Sequence, residues 1–393
     1  MIAETSHGPP VPARLRVPTL DLARLLAAAC VVIFHFGFHG GVIHRYLDTY
    51  SPSLGSWTRY GYLGVDVFFV ISGFVIAWSA EGAKAFDFAW RRWLRVYPTF
   101  IFCVCLTSLV VVVLHDPHFG ITLRQLLAHL IVDPRRFRLE FVDGVYWTIV
   151  CECQFYAFVA LGLSVPWLRK HQTACILGWY GLTLLNEYGL DLRMLRYALV
   201  SQWSSFFILG MMLFRLKTKP FAWLDATLGL AAFATGIQLE LRDAKYRFRI
   251  APDYSPLVVG LVLAGAIVLL VLSMQLRFRP TLENQLRRLG AVSYPLYLLH
   301  GTIGYIAINR LAPRVGLLGA IAITLVLVVT LASVVAFVVE PWLKAACTRA
   351  LLRAPWLARR PSSQAIQTTI LSAPAETGLG ALAGQTRPGE PLS

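Results

Sequence analysis

Of the 393 residues, 57% are hydrophobic and only 15% charged, with a mean hydropathy of +0.61, whereas soluble domains run near about 45–50% apolar and about 25% charged. Charge-free runs at Val96–Leu114, Leu257–Leu276 and Val315–Val339 match the roughly 20 residues that a helix needs to cross a hydrocarbon core of about 30 Å. Collagen-like, disordered and disulfide-scaffold chains are excluded, as is an outer-membrane barrel, whose strands alternate in segments of about 10 residues; the fold class expected is an all-α, polytopic membrane protein.

A net charge of +15 raises the question of nucleic acid, but the basic residues sit in short clusters between apolar spans. That placement suits membrane lipid headgroups and the setting of topology, and no nucleic acid partner is expected. Seven cysteines, Cys30, Cys103, Cys105, Cys151, Cys153, Cys175 and Cys347, fall in or beside spans and read as small hydrophobes, with neither disulfides nor a zinc site implied. Residues 1–19 are proline-rich with Arg14 and Arg16, and form a cytoplasmic lead with no cleavable signal peptide expected.

In chain order, apolar runs between charged breaks predict about ten transmembrane helices, at 20–38, 62–78, 96–114, 146–168, 173–188, 197–214, 222–239, 257–276, 291–308 and 315–339. The Lys and Arg distribution favours both termini cytoplasmic. Between the third and fourth helices, His115 to Val145 mixes histidines and arginines with Leu126, Leu127, Leu130 and Ile131, and predicts a short re-entrant or interfacial helix. The transmembrane domain covers 20–346. Residues 347–393 form a cytoplasmic tail turning to Pro, Ser, Thr, Gly and Ala, a composition that builds no core and predicts disorder.

Ionisable groups inside spans are costly, so they mark a site or a pathway. On the first helix Arg24 precedes His35 by eleven positions, which leaves the two side chains only about 20° apart around the axis and roughly 16 Å apart along it. Arg24 serves either as a topology anchor or as a binder of an anionic ligand; His35 either packs through a hydrogen bond or accepts a proton in a confined polar cavity. His39, one turn further, resembles a two-histidine metal pair but has no acidic third ligand, so no metal is expected. On the second helix Asp66 lies near the outer end, and Ser72 with Gly73 permits close approach of a helix or ligand. Arg91, Arg92 and Arg95, interleaved with Trp90 and Trp93 ahead of the third span, either anchor the chain or hold phosphates, with the tryptophans suited to stacking on a base. Glu152 on the fourth helix needs a partner, for which Arg24 or Arg92 is a candidate, and Tyr156 lies one turn on. Ser293, Tyr297 and His300 make a polar stripe on the ninth.

Taken in order, these segments resemble the integral-membrane acyltransferase family 3, bacterial O-acyltransferases acting on glycans and related acceptors. The likeness rests on Arg24 and His35; on Gly64-Val65-Asp66-Val67-Phe68-Phe69-Val70-Ile71-Ser72-Gly73-Phe74; on Arg92-Trp93-Leu94-Arg95 before Tyr97-Pro98; on Trp147-Thr148, Glu152 and Phe155-Tyr156; and on Ser293-Tyr294, Tyr297-Leu298 and His300. The resemblance implies a fold of about ten helices in the bacterial inner membrane. It implies an acyl-CoA, usually acetyl-CoA, as cytoplasmic co-substrate, with no permanently bound cofactor, and a saccharide or glycolipid acceptor. His35 would be the essential histidine, Arg24, Arg92 and Arg95 would contribute to the donor site with Arg91 beside them, and Glu152 would be a further functional residue. Whether His35 acts as general base or carries a transient acyl group stays open. A rival reading is a proton-coupled secondary transporter or flippase, with His35, Glu152 and Asp66 as its relay.

Overall fold

A computed structural model describes residues 17–43, 45–247 and 255–352, and all regular structure among them is helical. The chain divides into two compact units, Met1–Lys344 and Ala345–Ser393. Most of the expected lead, 1–16, and most of the expected tail, 353–393, lie outside the described residues; of the tail, 347–352 belong to a helix, Glu340–Leu352.

Each of the ten expected windows contains helix. The first helix, α1 (Pro18–Phe34), starts with proline at its first position, where the missing N–H costs nothing, and runs on as a π-helical turn, His35–His39. It is followed by α2 (Gly64–Ala80), α3 (Ala85–Leu114), α4 (Trp147–Ser164), α5 (Gln172–Leu185), α6 (Ser201–Thr218), α7 (Trp223–Arg247), α8 (Pro256–Ser273), α9 (Pro280–Leu299) and α10 (Gly301–Val334). Gly316, at φ 73°, breaks α10 into two helices. Among the described residues, seven helical stretches are long and apolar enough on their own to cross a membrane. The windows at 173–188, 222–239 and 291–308 are helical but less apolar or shorter: α5 has 14 residues, α7 carries Asp225, Glu240, Arg242 and Asp243, and the last window is shared between α9 and α10.

The third helix corrects one expectation. It begins at Ala85, so Trp90 to Arg95 stand on its first turns and not in a connection ahead of it. The residues there are ordinary helix formers, and Pro98 lies inside the helix without ending it.

Packing follows the small residues. The closest pairing is α2 with α6, where a Cβ on Gly73 would fall 2.1 Å from the Phe207 carbonyl oxygen and one on Gly210 would fall 2.0 Å from that of Val70. Only glycine lets two backbones approach so far, the device by which membrane helices associate without a hydrophobic driving force. Around this crossing α1 packs on α9 and α2, α3 touches α4 and α9, and α6 packs on α7. Phe69, Phe74, Phe155 and Phe207 are buried at its core.

A buried ionic knot ties the neighbouring elements. Glu187, its side chain fully enclosed, accepts from Arg196 Nε at 3.0 Å and Nη2 at 3.1 Å, and from Ser201 and Arg242.

The segment between α3 and α4 is folded back along α3. Tyr97 donates its hydroxyl to the Leu130 carbonyl at 2.8 Å, and Tyr97 lies 17 residues before the end of α3, a distance of about 25 Å at helical rise. Leu123, Leu127, Leu130 and Ile131 on this segment are exposed, and its α-helix, Leu123–Ala128, is short and followed by 3-10 turns at His129–Ile131 and Pro134–Phe137. The expected short helix is present, and the segment that carries it lies against α3.

Candidate active site

Antiparallel helices give the bundle two ends, and a cavity opens toward each. The first, about 80 Å³, is lined by Arg24 near the start of α1, Ser72 in the second half of α2, Arg92 and Arg95 on the early turns of α3, Thr148, Glu152 and Tyr156 on α4, and Ser293, Tyr294 and Tyr297 on α9. The second, about 710 Å³, lies at the other end of α1. His35, His39, Asp66, His118, Asp143, Tyr305 and several aromatic rings contribute to its wall. Val65 and Tyr297 line both. The two spaces therefore adjoin, and one aromatic side chain forms part of the wall between them.

In the first cavity the expected ion pairing of Glu152 is replaced by hydrogen bonding. Glu152 Oε1 accepts from the Ser72 hydroxyl at 3.3 Å and from Tyr156, while Arg24 pairs with Asp21, three residues back on its own helix, at 3.4 Å. Arg24, Arg92 and Glu152 share a cavity without direct contact. The Arg92 Nε is buried and has no hydrogen-bond partner among the described residues. Arg95, three positions on, falls on the same helical face; Arg91, turned about 100° away, is exposed and does not line the cavity. Trp90, Trp93 and Tyr97 stack on one another at 4.9 and 5.2 Å, so the tryptophans expected to meet a base meet each other.

The polar stripe of α9 is divided. Ser293 donates to the Gly290 carbonyl at 2.6 Å, and Tyr297 accepts from Thr148 at 3.0 Å. His300 is fully buried outside both cavities, with Nδ1 2.7 Å from the Tyr297 carbonyl oxygen, and its ring meets that of His35 edge-on at 4.9 Å.

His35 opens the π-helical turn and faces the second cavity, with Nδ1 2.6 Å from the Tyr305 hydroxyl. π-Turns recur at functional sites because they re-aim side chains within an otherwise regular helix. The segment between α3 and α4 supplies much of this cavity's wall. Asp143 there accepts from the backbone N–H of Thr302 at 2.6 Å and of Val145 at 3.1 Å, closing the segment onto the start of α10. Burial pushes the Asp143 carboxyl up to about 6, against the pull of those N–H groups.

Tyr305 and Asp143 were not singled out by the sequence, and Thr148 and Tyr294 entered only as parts of the Trp147-Thr148 and Ser293-Tyr294 motifs, with no role of their own. Tyr305 pairs with His35 across 270 positions, and nothing local distinguishes it from any other tyrosine in an apolar helix. Among the described residues, no group of three or more His, Cys, Asp and Glu is arranged to hold a metal ion.

Comparison with known proteins gives a match to the acyltransferase domain family over residues 17–339. The chain is 27% identical over 152 residues to the acyltransferase MdmB of Streptomyces mycarofaciens, covering 37% of this chain and 38% of that protein. It is 29% identical over 113 residues to the peptidoglycan O-acetyltransferase OatA of Listeria monocytogenes, covering 27% of this chain and 15% of the other. Both alignments thus span well under half of the relatives' lengths. No solved structure matches.

Proposed function

The chain belongs to the acyltransferase domain family, and we propose that it is a membrane O-acyltransferase moving an acyl group from a cytoplasmic acyl-CoA to a hydroxyl of a saccharide or glycosylated acceptor. Acetyl is the acyl group of choice, and the bacterial inner membrane is the setting. The observation that carries this reading is the pair of adjoining cavities, one basic and narrow, one wide and holding His35.

The donor enters from the basic side, which this reading assigns to the cytoplasm. Arg92 and Arg95 hold its phosphates through charge-assisted hydrogen bonds, while the extended thioester arm passes Arg24 along the face that α1 shares between Arg24 and His35. A cavity of about 80 Å³ leaves the nucleotide at the surface and widens as the arm enters. The acceptor occupies the larger cavity, whose aromatic rings and polar groups suit the alternating faces and hydroxyls of a sugar. That OatA is a peptidoglycan O-acetyltransferase supports a glycan hydroxyl as acceptor.

At the junction, neutral His35 takes the proton of the acceptor hydroxyl as its oxygen bonds to the thioester carbonyl carbon. The C–S bond then breaks, and the proton passes to the departing thiolate. Proton transfer of this kind contributes about 10² to 10⁴ in rate. Glu152, held by Ser72 and Tyr156, fixes the negative charge that faces the arginines. The transporter reading requires His35, Asp66 and Glu152 in one relay, but Glu152 lines the first cavity while His35 and Asp66 line the second.

His35→Ala is expected to lower transfer of label from [14C]acetyl-CoA into membrane glycans by at least about 10²-fold, with the protein still accumulating in membranes. Parent-level transfer by that variant would remove His35 from the chemistry.

A further inference from the structure

The Tyr305 hydroxyl stands between two imidazoles. Its oxygen lies 2.6 Å from Nδ1 of His35 and 3.0 Å from Nδ1 of His39, whose rings are 4.6 Å apart on the π-helical turn. The phenol is held in place. It is 3% exposed, Phe119 lies parallel to it at 6.3 Å, and a Cβ on Gly40 would come within 2.5 Å of its ring, so the glycine is what admits the ring against the end of α1.

A phenol has one proton and can donate it to one nitrogen only. For both contacts to be hydrogen bonds, one histidine accepts from Tyr305 and the other presents its own Nδ1–H to the phenol oxygen. The second histidine then carries its lone pair on Nε2. We propose that Tyr305 is a positioning residue for acyl transfer: His35 donates Nδ1–H to the phenol oxygen, Tyr305 donates its proton to Nδ1 of His39, and His35 is thereby held in the tautomer whose Nε2 accepts the acceptor's proton. The inference rests on His35 being the general base. In the opposite tautomer Nε2 carries a hydrogen and cannot take the proton. His300 does not substitute for Tyr305: its Nδ1 is directed at the carbonyl oxygens of Tyr297 and Leu296, and its buried Nε2 has no hydrogen-bond partner among the described residues.

The test uses isolated membranes carrying the full-length chain, with acetyl-CoA as probe, and follows CoA thiol release and label transfer to endogenous acceptor. Tyr305→Phe is expected to lower the maximal rate by roughly 10- to 10³-fold, within the contribution of a general base, with the KM for acetyl-CoA unchanged. His39→Leu lowers it similarly, because the phenol proton then turns to His35 and flips the tautomer. His39→Asn recovers part of that loss, since its Oδ1 stands two bonds from Cβ as Nδ1 does. In the Tyr305→Phe background His39→Leu costs nothing further, as residues acting through one chain are non-additive. A Tyr305→Phe protein with the parent maximal rate overturns the proposal, and so do additive losses. If Tyr305→Phe does not accumulate, the two His39 variants decide: equal rates overturn it. Activity retained by His35→Ala refutes the reading of the site itself, whereas a dead His35→Ala beside a fully active Tyr305→Phe removes only the role of Tyr305.

Discussion

Arg91, Arg92 and Arg95 are three equal candidates in the sequence and three different residues in the molecule. Arg92 is half-buried with an unsatisfied Nε, Arg95 shares its face, and Arg91 points elsewhere. Replacing Arg92 and Arg95 together by alanine is expected to raise the KM for acetyl-CoA in isolated membranes by roughly 10-fold or more, since each charge-assisted hydrogen bond is worth about 1.5–3 kcal/mol. Arg91→Ala leaves KM unchanged, and an unaltered KM in the double variant would return the pair to a topology role. The sequence separated the residue types that matter here because charges in apolar spans are conspicuous. It misassigned partners, giving Glu152 an arginine where the structure supplies two hydroxyls, because hydroxyl donors such as Ser72 and Tyr156 carry no charge to mark them. Tyr305 escaped for the same reason.

At the level of elements, the apolar runs were legible because the bilayer demands length, and length can be read by eye. The segment between α3 and α4 was only half legible: its leucines showed an apolar surface, but its fold back along α3 is marked by a hydroxyl-to-carbonyl bond from Tyr97. His129 locks that segment. Fully buried, it accepts the Val142 N–H at Nε2 at 3.2 Å, which leaves the hydrogen on Nδ1 for the Gln125 carbonyl at 2.8 Å. Burial lowers its pKa, so the folded state holds His129 neutral where the unfolded chain would already be protonated. The unfolded state therefore binds the extra proton, and stability falls as pH drops through about 6.5 toward the lower folded value. The thermal midpoint of the protein in detergent is expected to fall on acidification from pH 7.5 to 5, by the equivalent of about 1–3 kcal/mol for one buried donor left facing another. In His129→Gln this acid-side loss shrinks. An identical acid slope in both proteins would refute the lock.

For the molecule as a whole, the arrangement that matters is two chambers opening at opposite ends and meeting at Tyr297. None of this was readable from the chain, since a cavity is made of what five or six helices leave between them. Tyr297→Ala is expected to merge the chambers and let water reach the thioester, so that CoA release from acetyl-CoA continues or rises while ester formation falls by about 10-fold or more, the order of a lost positioning contact. Release and transfer falling in the same proportion would show that the ring is no barrier.

The shared tyrosine wall also has an electrical consequence. Where aqueous chambers reach in from both faces, most of a membrane's voltage drops across the thin partition between them. In the proposed reaction a neutral acyl group passes that partition without electrical work, whereas a proton crossing it would exchange about 2.3 kcal/mol per 100 mV with the field. The acceptor's proton leaves with the thiol on the donor side, so ester synthesis is expected to run faster in vesicles energised with the donor side negative than in de-energised ones, and equal rates would place the proton's release on the acceptor side.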